Sequence, residues 1–238
     1  MDPGGPPVYS WSTVSAPALV LGRGAGAPPV DRAAADEEGV TIVRRSSGGG
    51  PVLWDRDLVS LDVVLPRGHA LALDDVVAAY RWLGEAIAEA LTALGAPDVE
   101  VLGVERAHAA RRHPGPAADA CFGGLSPFEV LAGGRKVAGL SQARRRPGTL
   151  LQAGIPLTLD AGRLARLMGR DAAFATGLAA TAAGLRELVP DADAAEVIAA
   201  VDAAVARRQG VRLVEDALTA DERAAADPDG GELRDADV

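Results

Sequence analysis

The change in hydrophobic spacing along the chain constrains its fold most. In the first two thirds of the sequence, apolar and β-branched residues form short runs that end at glycine or proline, which is typical of β-strands. From about Leu164 onward, long stretches rich in alanine and leucine favour helices. Strands followed by helices, rather than alternating with them, predict an α+β fold with one sheet system and a helical flank from about residue 160.

The runs predict a definite set of elements. Strands are predicted at Ala18–Leu21, Val40–Val43, Leu58–Leu65, Val99–Gly103 and Thr149–Leu159, and a β-hairpin at 128–140 with its turn at Gly133 and Gly134. Helices are predicted at Asp74–Leu94, where apolar residues form one stripe, and at Ala192–Arg208.

Other segments carry no such pattern. Residues 1–14, 24–38 and 105–120 are expected to be irregular. The acidic segment 220–238 contains a proline and paired glycines, and it is expected to be a disordered tail. Residues 1–219 are then expected to form a single domain.

Charge and composition narrow the classes of function. The formal net charge is −9, which argues against a general nucleic-acid-binding protein. No apolar run is long enough to span a membrane, and the N-terminus lacks the basic-then-apolar layout of a secretory signal. A single cysteine excludes an internal disulfide framework. We therefore expect a cytoplasmic protein that binds neither nucleic acid nor membrane.

One basic residue differs from all the others. Among the 24 basic residues, Lys136 is the only lysine. It leads into an apolar strand of the predicted hairpin, where an ammonium could bind a carboxylate, a phosphate or a developing oxyanion as a compact charge. Arginine is longer and planar, and it fits a single acyl carbonyl less well. The alternative explanation is the chance survival of one surface lysine.

A glycine-rich turn follows the predicted strand Val40–Val43. Its sequence is Arg44-Arg45-Ser46-Ser47-Gly48-Gly49-Gly50-Pro51, and the glycines permit positive φ and close backbone approach. Exposed N–H groups beside two arginines could form an oxyanion cradle. The turn is not a Walker loop, because no GK[ST] follows, and it is not a dinucleotide fingerprint. The alternative is a β-turn with surface arginines.

The remaining candidates are less specific. A lone cysteine such as Cys121 is more often packed in a core than used as a nucleophile, although a nearby ammonium would favour its reactive form. The three histidines, His69, His108 and His113, lack metal-ligand spacing, so no metal site is predicted. Residues 144–146 are three arginines, expected to be a solvated loop or else to bind an acidic partner or a phosphate.

Two motifs in register resemble those of the lipoate–protein ligase A family. Arg44–Val52 is similar to the family's RRxSGGGAV signature, and Gly134–Arg144 resembles its GrKixGsaQxR signature. The similarity extends from about Tyr9 to Leu159. The resemblance implies the biotin/lipoate protein ligase-like fold, in which a mixed sheet with flanking helices forms a tunnel for a medium-length acyl chain.

The resemblance also implies a site and partners. In this family, the glycine turn and the hairpin lysine face each other across the acyl carbonyl of an octanoyl or lipoyl group, so Lys136 would hold that carbonyl or an acyl-phosphate oxygen. The implied substrate-binding residues are Arg44, Arg45, Ser47, Gly48, Gly49, Gly50, Gly139, Ser141 and Gln142. The implied partners are an acyl carrier protein as donor, and lipoyl domains of 2-oxoacid dehydrogenases or the glycine cleavage H protein as acceptors.

Two reactions compete within this family. Cysteine-dependent octanoyltransferases take the acyl group from a carrier-protein thioester without a cofactor, whereas ligases activate free lipoate with ATP and Mg. Cys121-Phe122, followed by the segment 126–130, resembles the transferase pattern, and many ligases have Asn-Asp in place of Phe128-Glu129. The expected mechanism is a thioester on Cys121, supported by Lys136, which the lysine of a lipoyl domain then attacks.

Departures from the family pattern suggest a third hypothesis. Trp54 stands where the family has a histidine after the glycine turn, and Ala153 replaces a second histidine. The family's usual N-terminal strand and helix are not found before Tyr9. A non-catalytic relative that binds an acyl group or a lipoyl domain would have an unreactive Cys121 and a blocked tunnel. The covalent mechanism requires instead that Cys121 and Lys136 meet at a common cavity.

Overall fold

The structure is a computed structural model that describes residues 5–12, 14–23 and 29–217. The predicted tail at 220–238 lies outside the described residues. In chain order, the strands are β1 Val8–Ser12, β2 Ala18–Leu21, β3 Thr41–Arg44, β4 Val52–Trp54, β5 Leu58–Pro66, β6 Glu100–Val101, β7 Val130–Ala132, β8 Arg135–Arg145 and β9 Gly148–Pro156. The helices are α1 Arg32–Glu37, α2 Arg81–Ala93, α3 Val104–Arg112, α4 Ala161–Leu167, α5 Ala172–Thr181 and α6 Ala194–Gln209.

Two sheets form the framework. One is antiparallel, with the strand order β1-β5-β9-β8-β7-β6. The other has the order β3-β2-β4, in which β2 runs parallel to β3 and antiparallel to β4. Three helices follow the last strand. The predicted α+β class, with a mixed sheet arrangement and flanking helices, is therefore confirmed.

Of three hydrophobic cores among the described residues, the two large ones hold these layers together. In the larger core, Leu83 and Ile87 of α2 and Val201 of α6 pack with strand residues such as Leu61 and Leu151. The smaller core joins the three-stranded sheet to α4 and α5, and it includes Phe122. Because Phe122 is buried there, the segment that carries Cys121 is anchored beside the sheets.

Most of the predicted elements are present. The predicted strands correspond to β2, β3, β5, β6 and β9, the hairpin is β7–β8, and the helix predicted at 192–208 is α6. Among the described residues, no helix combines the length and the apolar character needed to cross a membrane.

The predictions of irregular structure were wrong at three places. Residues 1–14 contain β1, an edge strand whose Trp11 indole donates to Asp202 of α6 at 2.8 Å. Residues 24–38 contain α1, and residues 105–120 contain most of α3. Both helices are short, and α3 buries only Ala107, so their sequences carry almost no apolar periodicity.

The helix predicted at Asp74–Leu94 begins later than expected. Helix α2 starts at Arg81, after a 3-10 turn. The Asp75 carboxylate accepts hydrogen bonds from the N–H groups of Val77 and Ala78. Gln142 and Arg144 of β8 donate to main-chain carbonyls at 73–76. These side-chain bonds hold the segment outside the helix despite its apolar pattern.

Substitution by alanine should have opposite effects on stability at two helical glycines, Gly84 in α2 and Gly162 in α4. A Cβ on Gly84 would lie 2.1 Å from the carbonyl oxygen of Phe128, so Gly84→Ala should lower the free energy of unfolding by about 1–3 kcal/mol. In α4, a Cβ on Gly162 meets only ordinary contacts, and Gly162→Ala should be neutral or stabilise by up to about 1 kcal/mol. Urea unfolding of both variants checks this, and a Gly84→Ala protein as stable as wild type would contradict the packing.

Candidate active site around Cys121

Cys121 lies half-buried where two cavities meet. A narrow inner cavity and a wide outer cleft share Cys121, Arg45 and Leu140 in their walls. The Cys121 N–H donates to the Pro51 carbonyl at 2.9 Å, which ties the cysteine to the glycine turn. The thiol therefore has an open side and an apolar side, an arrangement that a nucleophile accepting an acyl chain requires.

The glycines of the turn allow it to pack closely against the cysteine segment. A Cβ on Gly50 would lie 2.0 Å from the main-chain carbonyl oxygen of Asp119 and 2.7 Å from the main-chain nitrogen of Cys121. Gly49 has a φ of 104°, which favours glycine. Both glycines line the outer cleft, and within the described chain their N–H groups donate to no backbone carbonyl. These N–H groups can therefore serve an oxyanion beside the cysteine.

Arg45 is a cation in contact with the thiol. Its Nη2 donates to the carbonyls of Gly48 and Gly50, at 2.9 and 3.2 Å, and lies 3.9 Å from the Cys121 sulfur. The turn's own carbonyls thus fix a positive charge beside the sulfur. The sequence predicted this role for Lys136.

Lys136 lies behind the cysteine, and all three of its N–H donors are engaged. Nζ donates to the carbonyls of Cys121 and Gly124, at 2.6 and 3.0 Å, and to Glu129 Oε1 at 2.7 Å. Nζ and the Cys121 sulfur each lie 3.6 Å from where a Cβ would sit on Gly139, so the two groups are close. The lysine nevertheless contacts the cysteine through its carbonyl, and no N–H remains for a substrate.

This geometry accounts for a lysine at position 136. The side chain is 1% exposed, and three oxygens surround its three donors. A guanidinium would bring five N–H donors in a planar fork into the same space and leave two without acceptors. Each unsatisfied buried donor costs about 1–3 kcal/mol, so arginine is disfavoured here.

A β-bulge turns this lysine inward. Val130 pairs with Ala138 and Leu131 pairs with Lys136, so Val137 is an extra residue in β8. A bulge bends the strand and interrupts the alternation of its side chains. The bulge lies where β8 is covered on both faces, since all residues from Lys136 to Leu140 are buried.

Glu129 is a site residue that the sequence motifs did not identify. It is 3% exposed, and its carboxylate accepts hydrogen bonds from Lys136 and from the N–H groups of Leu140 and Ser126, at 2.7, 3.3 and 2.7 Å. Burial raises the pKa of the Glu129 carboxyl, and Lys136 and the two N–H groups oppose that rise. An acid seven residues before the only lysine, across the hairpin turn, was the available signal.

The inner cavity runs from Cys121 into the protein. Its apolar walls are formed by Val52, Trp54, Leu58, Phe122, Leu140 and Ala153. Its volume is only about 30 Å³. Side chains must therefore move before a chain of several carbons can enter. Trp54 and Ala153, at the two positions where the resemblance led us to expect histidines, both line this cavity and contribute apolar surface to it.

One side of the inner cavity is polar. The buried Ser47 hydroxyl donates to Gln152, and the Ser141 hydroxyl donates to Ser47 at 3.3 Å. The Gln152 amide donates to Asp62 at 2.8 Å. Burial raises the pKa of Asp62, and the bond from Gln152 opposes that rise. The structure thus brings Ser47 and Ser141 together, as a connected polar network beside the cysteine.

The outer cleft is the open approach to the thiol. It has a volume of about 540 Å³, with the glycine turn on its wall and the end of α3 contributing Arg111 and His113. Glu129 also lines it, and this acid is paired with Lys136.

Other predicted residues lie outside the two cavities. The Arg44 guanidinium donates to the Gly22 carbonyl at 3.4 Å, and Gln142 and Arg144 hold the segment 73–76. Neither cavity is lined by these three side chains. They support the surrounding structure in this conformation. Among the described residues, no group of three or more His, Cys, Asp or Glu side chains could hold a metal ion.

Curated relatives point to acyl transfer enzymes. The octanoyltransferase LipM of Kyrpidia tusciae is 33% identical over 236 residues, covering 92% of this chain and 81% of the relative. The octanoyltransferase LipM of Moorella thermoacetica is 35% identical over 153 residues, covering 64% and 53%, and that of Exiguobacterium sp. is 33% identical over 154 residues, covering 64% and 54%. The chain thus spans about half the length of the latter two relatives.

Solved structures share the fold. Lipoate-protein ligase A bound with ATP superposes with a TM-score of 0.73 at 21% identity, covering 95% of this chain and 82% of that one. A bi-partite lipoate protein ligase from Thermoplasma acidophilum, studied with its E2 lipoyl domain, gives a TM-score of 0.73 at 19% identity, covering 95% and 80%. These similarities confirm the lipoate ligase-like fold.

The family assignment rests on the sequence match itself. The profile of the lipoyl protein ligase A/B catalytic domain matches residues 3–206, which is most of the chain. The resemblance drawn from the glycine turn and the lysine hairpin is therefore confirmed, and the chain belongs to the lipoyl protein ligase A/B catalytic domain family.

Proposed function

We propose that this protein is an acyltransferase that moves an octanoyl or lipoyl group onto a lysine of a lipoyl domain through a thioester on Cys121. The observation that carries the proposal is the position of the Cys121 sulfur, beside the Arg45 guanidinium and between the inner cavity and the outer cleft. The relatives named octanoyltransferase support the same reaction.

The first half-reaction loads the enzyme. The Cys121 thiolate attacks the carbonyl carbon of a donor thioester, the C–S bond to the donor breaks, and the donor leaves as a thiol after taking up a proton. In this proposal the N–H groups of Gly49 and Gly50 and the Arg45 guanidinium, which line the cleft beside Cys121, stabilise the tetrahedral oxyanion. The acyl chain occupies the inner cavity once its walls open.

The second half-reaction transfers the acyl group from Cys121 to the acceptor. The neutral ε-amine of the acceptor lysine attacks the Cys121 thioester, an amide forms, and Cys121 leaves as a thiolate while the amine loses a proton. Both half-reactions use the outer cleft, because Cys121 is reached from that side. The donor thiol must therefore depart before the acceptor arrives.

Lys136 acts as a positioning residue in this mechanism. It holds the carbonyls of Cys121 and Gly124, and Glu129 neutralises its charge. Because its three donors are occupied, the oxyanion role is assigned to the glycine turn and Arg45. Free lipoate activation requires cationic groups for a triphosphate, and a neutralised Lys136 is poorly suited to that task.

Partners and cofactors follow from the reaction. The donor is an acyl carrier protein, and the acceptors are lipoyl domains of 2-oxoacid dehydrogenases or the glycine cleavage H protein. The transfer needs no cofactor and takes place in the cytoplasm. Residues 1–219 act as the catalytic domain.

ATP-dependent ligation, with ATP and Mg, is the second candidate function, since a structural neighbour is an ATP-bound ligase.

The proposal predicts an acyl-enzyme at one residue. Incubation with octanoyl-carrier protein should add a single octanoyl group to the wild-type protein, and Cys121→Ser should abolish the adduct because a serine hydroxyl is a far weaker nucleophile at neutral pH. Intact mass spectrometry measures both. Ser126→Ala serves as a control that changes a hydroxyl elsewhere in the cleft wall and should still be acylated. An adduct that persists in Cys121→Ser contradicts the mechanism.

The buried ion pair predicts a large loss of stability when one partner is neutralised. Glu129→Gln leaves the Lys136 ammonium without a countercharge at 1% exposure, so the free energy of unfolding should fall by about 3–5 kcal/mol. The exposed pair Arg106–Glu100 is the matched control, and Glu100→Gln should cost less than about 1 kcal/mol. Equal losses for the two variants in urea unfolding would show that the buried pair has no special role.

The inner cavity predicts how acyl-chain length can be changed. A second small cavity shares Val52, Leu58 and Phe122 with it, so these side chains separate the two. Leu58→Ala should join the cavities and favour longer chains. A Cβ on Gly154 would lie 3.5 Å from Leu58 and 3.8 Å from Phe122, so Gly154→Ala should fill the gap and favour shorter chains.

Competition between equimolar octanoyl and dodecanoyl thioesters measures this preference as the ratio of the two acyl-enzymes. Opposite shifts of that ratio in the two variants are expected. Shifts in the same direction, or none, would place the acyl chain outside this cavity.

A further inference from the structure

The last turn of α3 carries three basic residues without acidic partners. Arg111, Arg112 and His113 are exposed, and in the described part of the chain none of them forms a salt bridge. Among the described residues, Arg56, Arg67 and Arg145 are also exposed and form no salt bridge, so the missing partner does not by itself set this turn apart. Ion pairs with Asp or Glu are formed by Arg81, Arg106, Arg135, Arg163, Arg166, Arg170, Arg186, Arg207 and Arg208.

The position of this turn matters more than its charge alone. Basic residues at a helix C-terminus complement the helix dipole, which explains why such residues occur on α3. The dipole does not explain why they lie beside the outer cleft. Arg111 and His113 line the outer cleft that leads to Cys121. The other charged residues in that lining are Arg45 and Glu129, and Glu129 is paired with Lys136. The wall of the cleft is therefore positive in a chain whose net charge is −9.

We propose that the last turn of α3, Arg111 to His113, is the docking surface for the acidic face of the carrier protein that delivers the acyl thioester. This inference rests on the proposed transfer reaction. The positive charge is not confined to the cleft, because Arg112 lies outside its lining. Such a spread fits an extended acidic protein surface better than a single phosphate group inside the cleft.

Electrostatic docking of this kind acts mainly on the rate of encounter. Opposite charges on two surfaces steer association, and the effect weakens as salt screens them. The prediction is therefore a fast, salt-sensitive capture of the acyl group from an acidic carrier, and a slower, salt-insensitive capture from an uncharged thioester.

The test uses charge reversal with a matched control. Arg111→Glu combined with Arg112→Glu reverses the proposed surface. Arg56→Glu combined with Arg67→Glu makes the same change in net charge at two exposed arginines outside the lining of both cavities. Each protein is mixed with octanoyl-carrier protein and, separately, with octanoyl-N-acetylcysteamine, which carries no charge. The second-order rate of acyl-enzyme formation is measured at low and high salt.

We expect the α3 pair to lower the rate from the carrier protein by about tenfold or more at low salt, with a much smaller change for the uncharged thioester. The control pair should leave the carrier rate within about twofold of wild type. An equal loss with both donors, or an equal loss in both pairs of variants, would overturn the docking surface. Failure of the wild-type protein to react with either donor would overturn the transfer reaction instead.

Binding provides a readout that does not depend on the chemistry. In a Cys121→Ser background, fluorescence anisotropy of labelled octanoyl-carrier protein should show binding that weakens by about tenfold or more after reversal of Arg111 and Arg112. Unchanged carrier binding would contradict the inference even if transfer is absent. Weakened binding of a lipoyl domain, with carrier binding unchanged, would assign the surface to the acceptor.

Discussion

The buried ion pair between Lys136 and Glu129 is the constraint on which the site depends. It lies almost fully out of solvent, and it joins the β7–β8 hairpin to the segment that carries Cys121. A buried charge without its partner is expensive, so the two residues and the carbonyls around them must stay together. The Lys136–Glu129 pair thus sets the position of Cys121 by holding its main-chain carbonyl.

A second set of contacts fixes the other side of the cysteine. The glycine turn packs against the same segment at distances that no Cβ would allow, and Arg45 bridges the turn to the sulfur. Cys121 therefore sits between two rigid elements and faces two spaces of different character. One space is narrow and mostly apolar, and the other is open and positively charged. In the proposed reaction, the first would hold the acyl chain and the second would receive the protein partners.

The sequence predicted those parts of the structure that depend on local patterns. The strands, the hairpin and the glycine turn were foreseeable because β-branched runs and consecutive glycines restrict the backbone directly. Helices α1 and α3 were missed because they bury few apolar side chains. The resemblance identified Lys136 and Cys121. It could not reveal that Glu129 and two main-chain carbonyls occupy the ammonium, since that depends on a bulge and on tertiary contacts.

The most direct measurement is transfer from an isolated acyl-enzyme. The protein would be loaded with a radiolabelled octanoyl group, freed of donor, and mixed with a lipoyl domain in the absence of ATP. We expect the label lost from Cys121 to appear on the domain lysine in equal amount. Label that stays on the protein, or that reaches the domain only from free octanoate with added ATP, would contradict the central claim.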